Sequence, residues 1–265
     1  MNTIETASAA PPTRPPMAVI LAAGRGVRMG GDLPKVLFEA VGKPLVRWVI
    51  DALEAAGVTD QIVVVGYRAE LVEAALAGLP GICFALQREQ RGTGDAVAAA
   101  ADLIRERLRD TPADHRQPVV VVCGDSPMLR PESIAGLLRL FGERRAACLL
   151  GTAFTDDPTG LGRIARTPTG SFRRIVEEKD ATPEERAIRE VNMSTYVFEA
   201  RDLLRALSRL NNANASGEYY LTDCPGLLLD EGLVVEAVAC LHQSESLSVN
   251  TPDQLAAVAA ALSAR

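Results

Sequence analysis

Along the first half of the chain, apolar residues fall into short, nearly unbroken runs. Between these runs they recur every three or four positions instead. Met17 to Ala22 (MAVILA), Gln61 to Val65 (QIVVV), Ile82 to Leu86 (ICFAL) and Val119 to Cys123 (VVVVC) are such runs, and each predicts a buried strand. The intervening periodicity predicts helices over about 44–57, 68–77 and 94–109, with another over about 131–142. Strand and helix in alternation imply a parallel sheet covered by helices on both faces. Polar residues or glycine follow each run, as in Leu86-Gln87 and Cys123-Gly124-Asp125. Polar groups therefore collect at the carboxyl edge of the sheet, where open α/β folds bind ligands.

The second half changes rhythm. Ala146 to Phe154, Gly162 to Thr167, Phe172 to Glu177 and Val191 to Phe198 predict shorter strands. Turns are marked by Asp157-Pro158-Thr159-Gly160 and Pro168-Thr169-Gly170. Helices are predicted over about 200–210, 219–231 and 252–263, the last opened by Asn250-Thr251-Pro252. No internal repeat or low-complexity linker follows residue 16. Residues 17–265 are thus expected to form one domain of two halves, about 17–145 and 146–265. Residues 1–16 hold four prolines among small polar residues and predict a flexible tail. The tail lacks the basic start and long apolar run of a signal peptide.

Composition narrows the partners. With 48% hydrophobic and 23% charged residues the chain is of ordinary globular type. A formal net charge of −6 argues against a nucleic-acid surface. It leaves room for an anionic ligand held by a few local donors. No segment reaches the roughly 20 continuous apolar residues of a membrane span, so a cytoplasmic protein is expected. Cys83, Cys123, Cys148, Cys224 and Cys240 are widely spaced without a C-x-x-C pair. They read as free, small hydrophobes in a reducing compartment. His115 and His242 stand alone, which argues against a zinc site.

The first strand runs into Leu21-Ala22-Ala23-Gly24-Arg25-Gly26-Val27-Arg28-Met29-Gly30-Gly31-Asp32-Leu33-Pro34-Lys35. A glycine-rich turn after a strand lets backbone N–H groups approach phosphate oxygens. The dinucleotide fingerprint G-x-G-x-x-G fails here because Met29 stands where its third glycine belongs, and no Gly-Lys-Ser/Thr completes a P-loop. What remains is Arg28 and Lys35 among mobile glycines, suited to a triphosphate. Taken alone, the same residues also suit a solvated turn.

The stretch LAAGRGVRM…DLPKVL resembles the signature of sugar-1-phosphate nucleotidyltransferases. Within that family it looks like the uridyltransferase domain of the bifunctional bacterial enzyme that makes UDP-N-acetylglucosamine. The resemblance continues through Gln87…Gly92-Thr93-Gly94, Gly124-Asp125, Asp157 to Ile164, Ile175 to Ala181, Gly217 to Asp223 and Val249-Asn250. It implies a Rossmann-like, mixed but mainly parallel sheet flanked by helices, of the nucleotide-diphospho-sugar transferase type, with a smaller mixed sugar-binding lobe. The first half would bind nucleotide and the second half sugar.

By the same resemblance, Leu21, Ala22, Ala23, Gly24, Gln87, Gly92 and Thr93 would bind the nucleotide, with the Ala23 and Gly24 backbone, Gln87, Gly92 and Thr93 holding the uracil. Arg28 and Lys35 would bind the phosphates and, with Asp125, serve catalysis. Asp125 and Asn250 would hold Mg2+, which favours oxygen ligands completed by substrate phosphates. Asp125 also suits a turn or helix cap, and Asn250 before Thr-Pro is also a good cap. Gly162, Glu177, Asn192, Tyr220 and Thr222 would line the sugar site. Three positions depart from the family: Arg25 replaces the more usual lysine, Leu161 stands where an aromatic is common, and Asn192-Met193-Ser194 replaces Asn-Thr-Gly. Glu178-Lys179-Asp180 reads equally well as a solvated charge run.

The expected reaction joins UTP and N-acetyl-α-glucosamine 1-phosphate into UDP-N-acetylglucosamine and pyrophosphate. Three alternatives remain: another sugar phosphate or nucleotide, a non-catalytic nucleotide-sugar-binding module, or, least compatible with Met29, an NAD-dependent oxidoreductase. The 265 residues contain no hexapeptide-repeat array of the kind that carries acetyl transfer in the bifunctional enzyme. Acetyl transfer is therefore not expected, and the oligomeric state stays open.

Overall fold

The structure is a computed structural model that describes residues 13–265. Most of the expected tail, residues 1–12, lies outside the described residues. Its last four residues run against the chain. Thr13 bridges Arg116, the Arg14 N–H donates to the Arg116 carbonyl at 2.9 Å, and the Gln117 amide donates to the Pro15 carbonyl at 2.8 Å.

The strands of the first half are β1 (Met17–Leu21), β2 (Glu39–Ala40), β3 (Lys43–Pro44), β4 (Asp60–Val65), β5 (Ile82–Leu86) and β6 (Pro118–Cys123). Its helices are α1 (Leu45–Ala55), α2 (Ala69–Leu76), α3 (Thr93–Ala99), α4 (Ala101–Leu108) and α5 (Pro131–Arg144). The second half contributes β7 (Cys148–Phe154), β8 (Arg163–Arg166), β9 (Phe172–Val176), β10 (Glu190–Glu199) and β11 (Val235–Val238). Around these strands lie α6 (Pro183–Arg186), α7 (Ala200–Leu207), α8 (Cys224–Asp230) and α9 (Pro252–Ser263).

One nine-stranded sheet passes through both halves in the order β11-β7-β10-β6-β1-β4-β5, with β8 and β9 branching from β10. Strands β5, β4, β1 and β6 are mutually parallel, and β10 joins β6 antiparallel. Strand order reverses between β1 and β6. At such a switch point the connecting loops diverge to opposite faces and leave a crevice at the carboxyl ends.

Side chains on β1 alternate between faces, as the twofold period of a strand requires. Met17 and Val19 join a core packed beneath α3, α7 and α8. Ala18 and Ile20 join the opposite core beneath α1, α2 and α5. Ile20 is fully buried, and such burial stabilises the fold by about 2 kcal/mol. A third cluster joins Met29, Ala40 and Leu45 to Val249, Val258 and Leu262. It docks α9 beside the glycine-rich loop and so brings residue 250 to the crevice.

Several expected elements shift. The helix predicted over 94–109 divides at Ala100, whose N–H donates to the Val97 carbonyl at 3.0 Å in a tighter turn. The helix predicted from 219 begins at Cys224. Tyr219 is instead tied to the Gly92 turn, donating to the Arg91 carbonyl and accepting from the Gly94 N–H, both at 2.8 Å. The two-residue hairpin β2–β3, the one-turn α6 and the short β11 were not predicted, each being too brief for periodicity to register. As an edge strand, β5 is mostly half-exposed rather than covered on both faces.

Candidate active site

Leu21 and Cys123 are register partners at the ends of β1 and β6. The Gly124 N–H donates to the Leu21 carbonyl at 2.9 Å, which holds the two departing loops together at their roots. From β1 the chain turns at Gly26, whose φ of +68° places it in the left-handed region that favours glycine. A Cβ there would lie 2.5 Å from the Lys35 Cβ, so glycine also lets the Lys35 stem pass close by.

Lys35 is the hub. Its ammonium forms an ion pair with the Asp125 carboxylate and donates to the Asn250 Oδ1 at 3.1 Å. Arg28, exposed at the rim, donates to the same Oδ1 at 3.0 Å. Asn250 is held by its backbone N–H, which donates to the Gln254 Oε1 at 2.8 Å. The cap of α9 is Thr251, whose hydroxyl accepts from the Gln254 N–H, so the Asn250 amide is left for the site. Asp125 likewise directs its carboxylate to Lys35 rather than to a helix end, and its carbonyl accepts from the Val249 N–H at 3.2 Å.

Asp125 and Asn250 thus aim two oxygens at one cationic group. A hard divalent ion such as Mg2+ suits that pair once substrate phosphates add further oxygens. Among the described residues no cluster of three or more His, Cys, Asp or Glu side chains could hold a metal.

Two chambers meet at this hub. One, of about 300 Å3, is lined by Leu21, Ala23, Gly24, Lys35, Gln87, Gly92 and Thr93. The other, of about 210 Å3, is lined by Gly160, Leu161, Gly162, Glu177, Asn192 and Ser194. Cys123 and Asp125 form a wall of both. In the larger chamber Gln87 is buried and donates its amide hydrogens to the Gly92 carbonyl at 3.2 Å and to Asp95 at 2.8 Å.

In the smaller chamber Asn192 is firmly held. Its Nδ2 donates to the Tyr196 hydroxyl at 2.7 Å, and its Oδ1 accepts from the Ser194 N–H at 3.2 Å. Between Asn192 and Thr195 the β10–β7 register slips, and Ser194 takes φ of +50°. Such bulges re-aim side chains beside active sites. Glu177 accepts from the Thr222 hydroxyl at 2.8 Å. Burial pushes the Glu177 carboxyl above its ordinary value; Thr222 opposes the shift, while Asp223, Asp180 and Glu218 add to it. The Cys123 thiol is pushed up to about 12, mainly by burial and secondarily by Asp125, so it stays protonated and is no nucleophile near neutral pH.

Most of the sequence-predicted site residues converge here, and three stand off the chamber walls. Ala22 is buried in the core beneath α1, α2 and α5 and does not line the larger chamber. Tyr220 lines neither chamber, because its segment is drawn toward the Gly92 turn. Thr222 donates to Glu177 and does not itself line the smaller chamber. Arg25 lies 5.1 Å over the Tyr67 ring, away from the hub. Glu178 is partly exposed but not free. It pairs at 2.7 Å with the fully buried Arg163 and accepts from the Gly160 N–H at 3.0 Å. The Arg163 bond, with the Gly160 N–H, holds its carboxyl below the usual value. This pairing ties the Gly160–Gly162 turn to the strand end that carries Glu177.

Sequence reasoning missed Asp95 and Cys123. An acidic residue in a first helical turn resembles ordinary helix-dipole pairing, and a cysteine ending an apolar run resembles core. Only the triplet departing from Asn-Thr-Gly marked Ser194.

A nucleotide-type fold with a cationic hub between two chambers defines a class, and residues 18–219 match the family model described as the MobA-like NTP transferase domain. The chain belongs to that family of nucleotidyltransferases. It is 43% identical over 239 residues to the bifunctional protein GlmU of Geobacter metallireducens, covering 90% of this chain and 48% of that protein. Identity to the bifunctional protein GlmU of Limosilactobacillus fermentum is also 43% over 239 residues, or 90% of this chain and 50% of the relative. The chain thus spans about half the length of the curated relatives it matches. A solved UDP-glucose pyrophosphorylase complexed with UDP-glucose superposes with a TM-score of 0.73 at 15% identity, covering 94% of this chain and 98% of that one. That likeness establishes the fold. No helix among the described residues is long and apolar enough to cross a membrane.

Proposed function

We propose that this protein transfers UMP from UTP to N-acetyl-α-glucosamine 1-phosphate, yielding UDP-N-acetylglucosamine and pyrophosphate. The observation that carries this reading is the pair of chambers meeting at Asp125 beside Lys35. A base and ribose occupy the larger chamber, a sugar the smaller, and their phosphates meet at the hub. Similarity to the GlmU relatives supports these particular substrates.

In this reading Arg28 and Lys35 leave Asn250 and Asp125 to bind the triphosphate. An oxygen of the sugar phosphate attacks the α-phosphorus in line. The new P–O bond forms as the bond to the β-phosphate oxygen breaks, and pyrophosphate leaves with that electron pair. The attacking phosphate is already largely ionised near neutral pH, so no general base is required. Lys35 and Arg28 stabilise the charge gathering on pyrophosphate, and alignment between the two chambers supplies proximity. Asp125 and Asn250 would hold Mg2+, which when bound neutralises phosphate charge as a Lewis acid. Glu177 accepts sugar hydroxyls.

One observation favours a second reading within the class. Both polar atoms of the Asn192 amide already have protein partners, and Ser194 adds a side chain beside it. A sugar phosphate without an acetamido group would suit a chamber narrowed in this way. The test is to incubate the protein with UTP, Mg2+ and a panel of hexose 1-phosphates, then identify the product by mass. N-acetylglucosamine 1-phosphate is expected to give UDP-N-acetylglucosamine with stoichiometric pyrophosphate. Exclusive use of another sugar phosphate would establish the second reading, and binding without pyrophosphate release would leave a mere binding module. Asp125→Ala is expected to lose at least about a hundredfold in turnover. Unimpaired turnover would remove Asp125 from the mechanism.

A further inference from the structure

We infer that Asp95 is a positioning residue that sets base selectivity by fixing which end of the Gln87 amide faces the nucleotide chamber; this rests on the base occupying that chamber. A glutamine amide carries an acceptor oxygen at one end and a donor nitrogen at the other, nearly identical in shape. Left alone it can flip and satisfy either kind of base edge. Gln87 cannot flip freely. Its backbone N–H donates to the Val65 carbonyl at 2.8 Å, and its side chain is almost fully buried. Its amide nitrogen faces two groups that only accept: the Gly92 carbonyl at 3.2 Å and the Asp95 Oδ2 at 2.8 Å. A flip would set the Gln87 oxygen against a carboxylate and a carbonyl at once.

Asp95 is itself held. Its other oxygen, Oδ1, accepts from Arg91 at 3.2 Å. The Arg91 guanidinium in turn lies 5.9 Å over the Tyr219 ring. Asp95 stands in the first turn of α3, next to the Gly92-Thr93 wall of the chamber. With both hydrogens of the Gln87 amide engaged, the oxygen is the atom left for a ligand. An acceptor facing the middle of a pyrimidine edge pairs with the N3–H of uracil or thymine. Cytosine presents a lone pair at N3 and is repelled. Rejection by unmatched polar groups in a buried site is the strong form of specificity. The Asp95–Gln87 bond is therefore what turns a two-faced amide into a one-faced reader.

The test measures binding and turnover with UTP and CTP for the wild type, Asp95→Asn and Asp95→Ala. The side chain introduced by Asp95→Asn has nearly the same volume but offers Gln87 either an oxygen or an NH2, so the amide is released without a cavity. The wild type is expected to prefer UTP. In both variants the ratio of kcat/KM for UTP over CTP should fall about tenfold or more, the worth of one well-placed hydrogen bond. The loss should appear in nucleotide KM, with Tm and the KM for sugar phosphate unchanged in Asp95→Asn. A purely structural Asp95 would lower both nucleotides equally and lower Tm, which would overturn the inference. So would a UTP preference that survives intact in both variants. A wild type that uses CTP as well as UTP would instead overturn the reading of the base chamber itself.

Discussion

Glu177 shows a carboxylate set into a chamber wall against its own solvation. Burial disfavours its carboxylate, and the Thr222 hydroxyl only partly compensates. A carboxyl whose pKa is raised on folding supports the fold below its ordinary value of 4.5 and withdraws that support as pH rises through the raised value. Gln at this position is neutral at every pH and still accepts from Thr222. Glu177→Gln is therefore expected to melt higher than the wild type at pH 8, with the gain vanishing at pH 4. Sugar-phosphate turnover should fall throughout. A Tm difference independent of pH would contradict the burial argument. The resemblance of successive motifs marked Asp125, Lys35 and Gln87, because taken alone a carboxylate or ammonium near a buried strand also suits a turn, a cap or a solvated loop. Asp95 escaped notice because its partner stands eight positions away, across a turn whose shape no periodicity encodes.

At the level of elements, the loop after β1 is built around close approach. Gly26 holds a left-handed φ and leaves no room for a Cβ against Lys35. Alanine there would bear roughly 1–2 kcal/mol of backbone strain and push the Lys35 stem aside. Gly26→Ala is expected to keep a folded circular-dichroism spectrum and lose only a few degrees in Tm. Its turnover should drop about a hundredfold, the effect of misplacing a group by an ångström. Near-normal turnover would mean the loop rearranges on binding nucleotide. Strands β1, β4 and β6 and helix α5 were legible, because their apolar patterns are long enough to outweigh local noise. The break at Ala100 and the late start of α8 were not. Both follow from bonds that tertiary packing imposes on residues of good helical propensity or neutral turn character.

Across the whole molecule, one sheet binds the halves together. Strand β6 has β1 on one side and β10, from the second half, on the other. A fragment of residues 13–145 would present β6 as an open apolar edge, a template for intermolecular pairing. It is expected to be aggregated or unfolded, whereas residues 13–265 should be monodisperse. A well-dispersed NMR spectrum from the shorter fragment would show that the first half folds unaided. The smaller chamber also depends on this continuity. Its walls come from the ends of β6, β9 and β10 and from the loop before α9.

The amino-acid order alone determined the alternation of buried strands and amphipathic helices, and with it a ligand edge rich in glycine, carboxylate and cation. Local chemistry suffices for that, because burial selects apolar runs and ligands select the polar residues that end them. Tertiary structure alone decided that Asn250 reaches Lys35 and Arg28 from more than two hundred residues away. It decided that Ala22 turns into the core and that Tyr220 lies off the smaller chamber. It also brought Asp95 onto the Gln87 amide. These are matters of which surfaces meet when helices close over the sheet, and contact between distant segments is set by packing of the whole rather than by spacing along the chain.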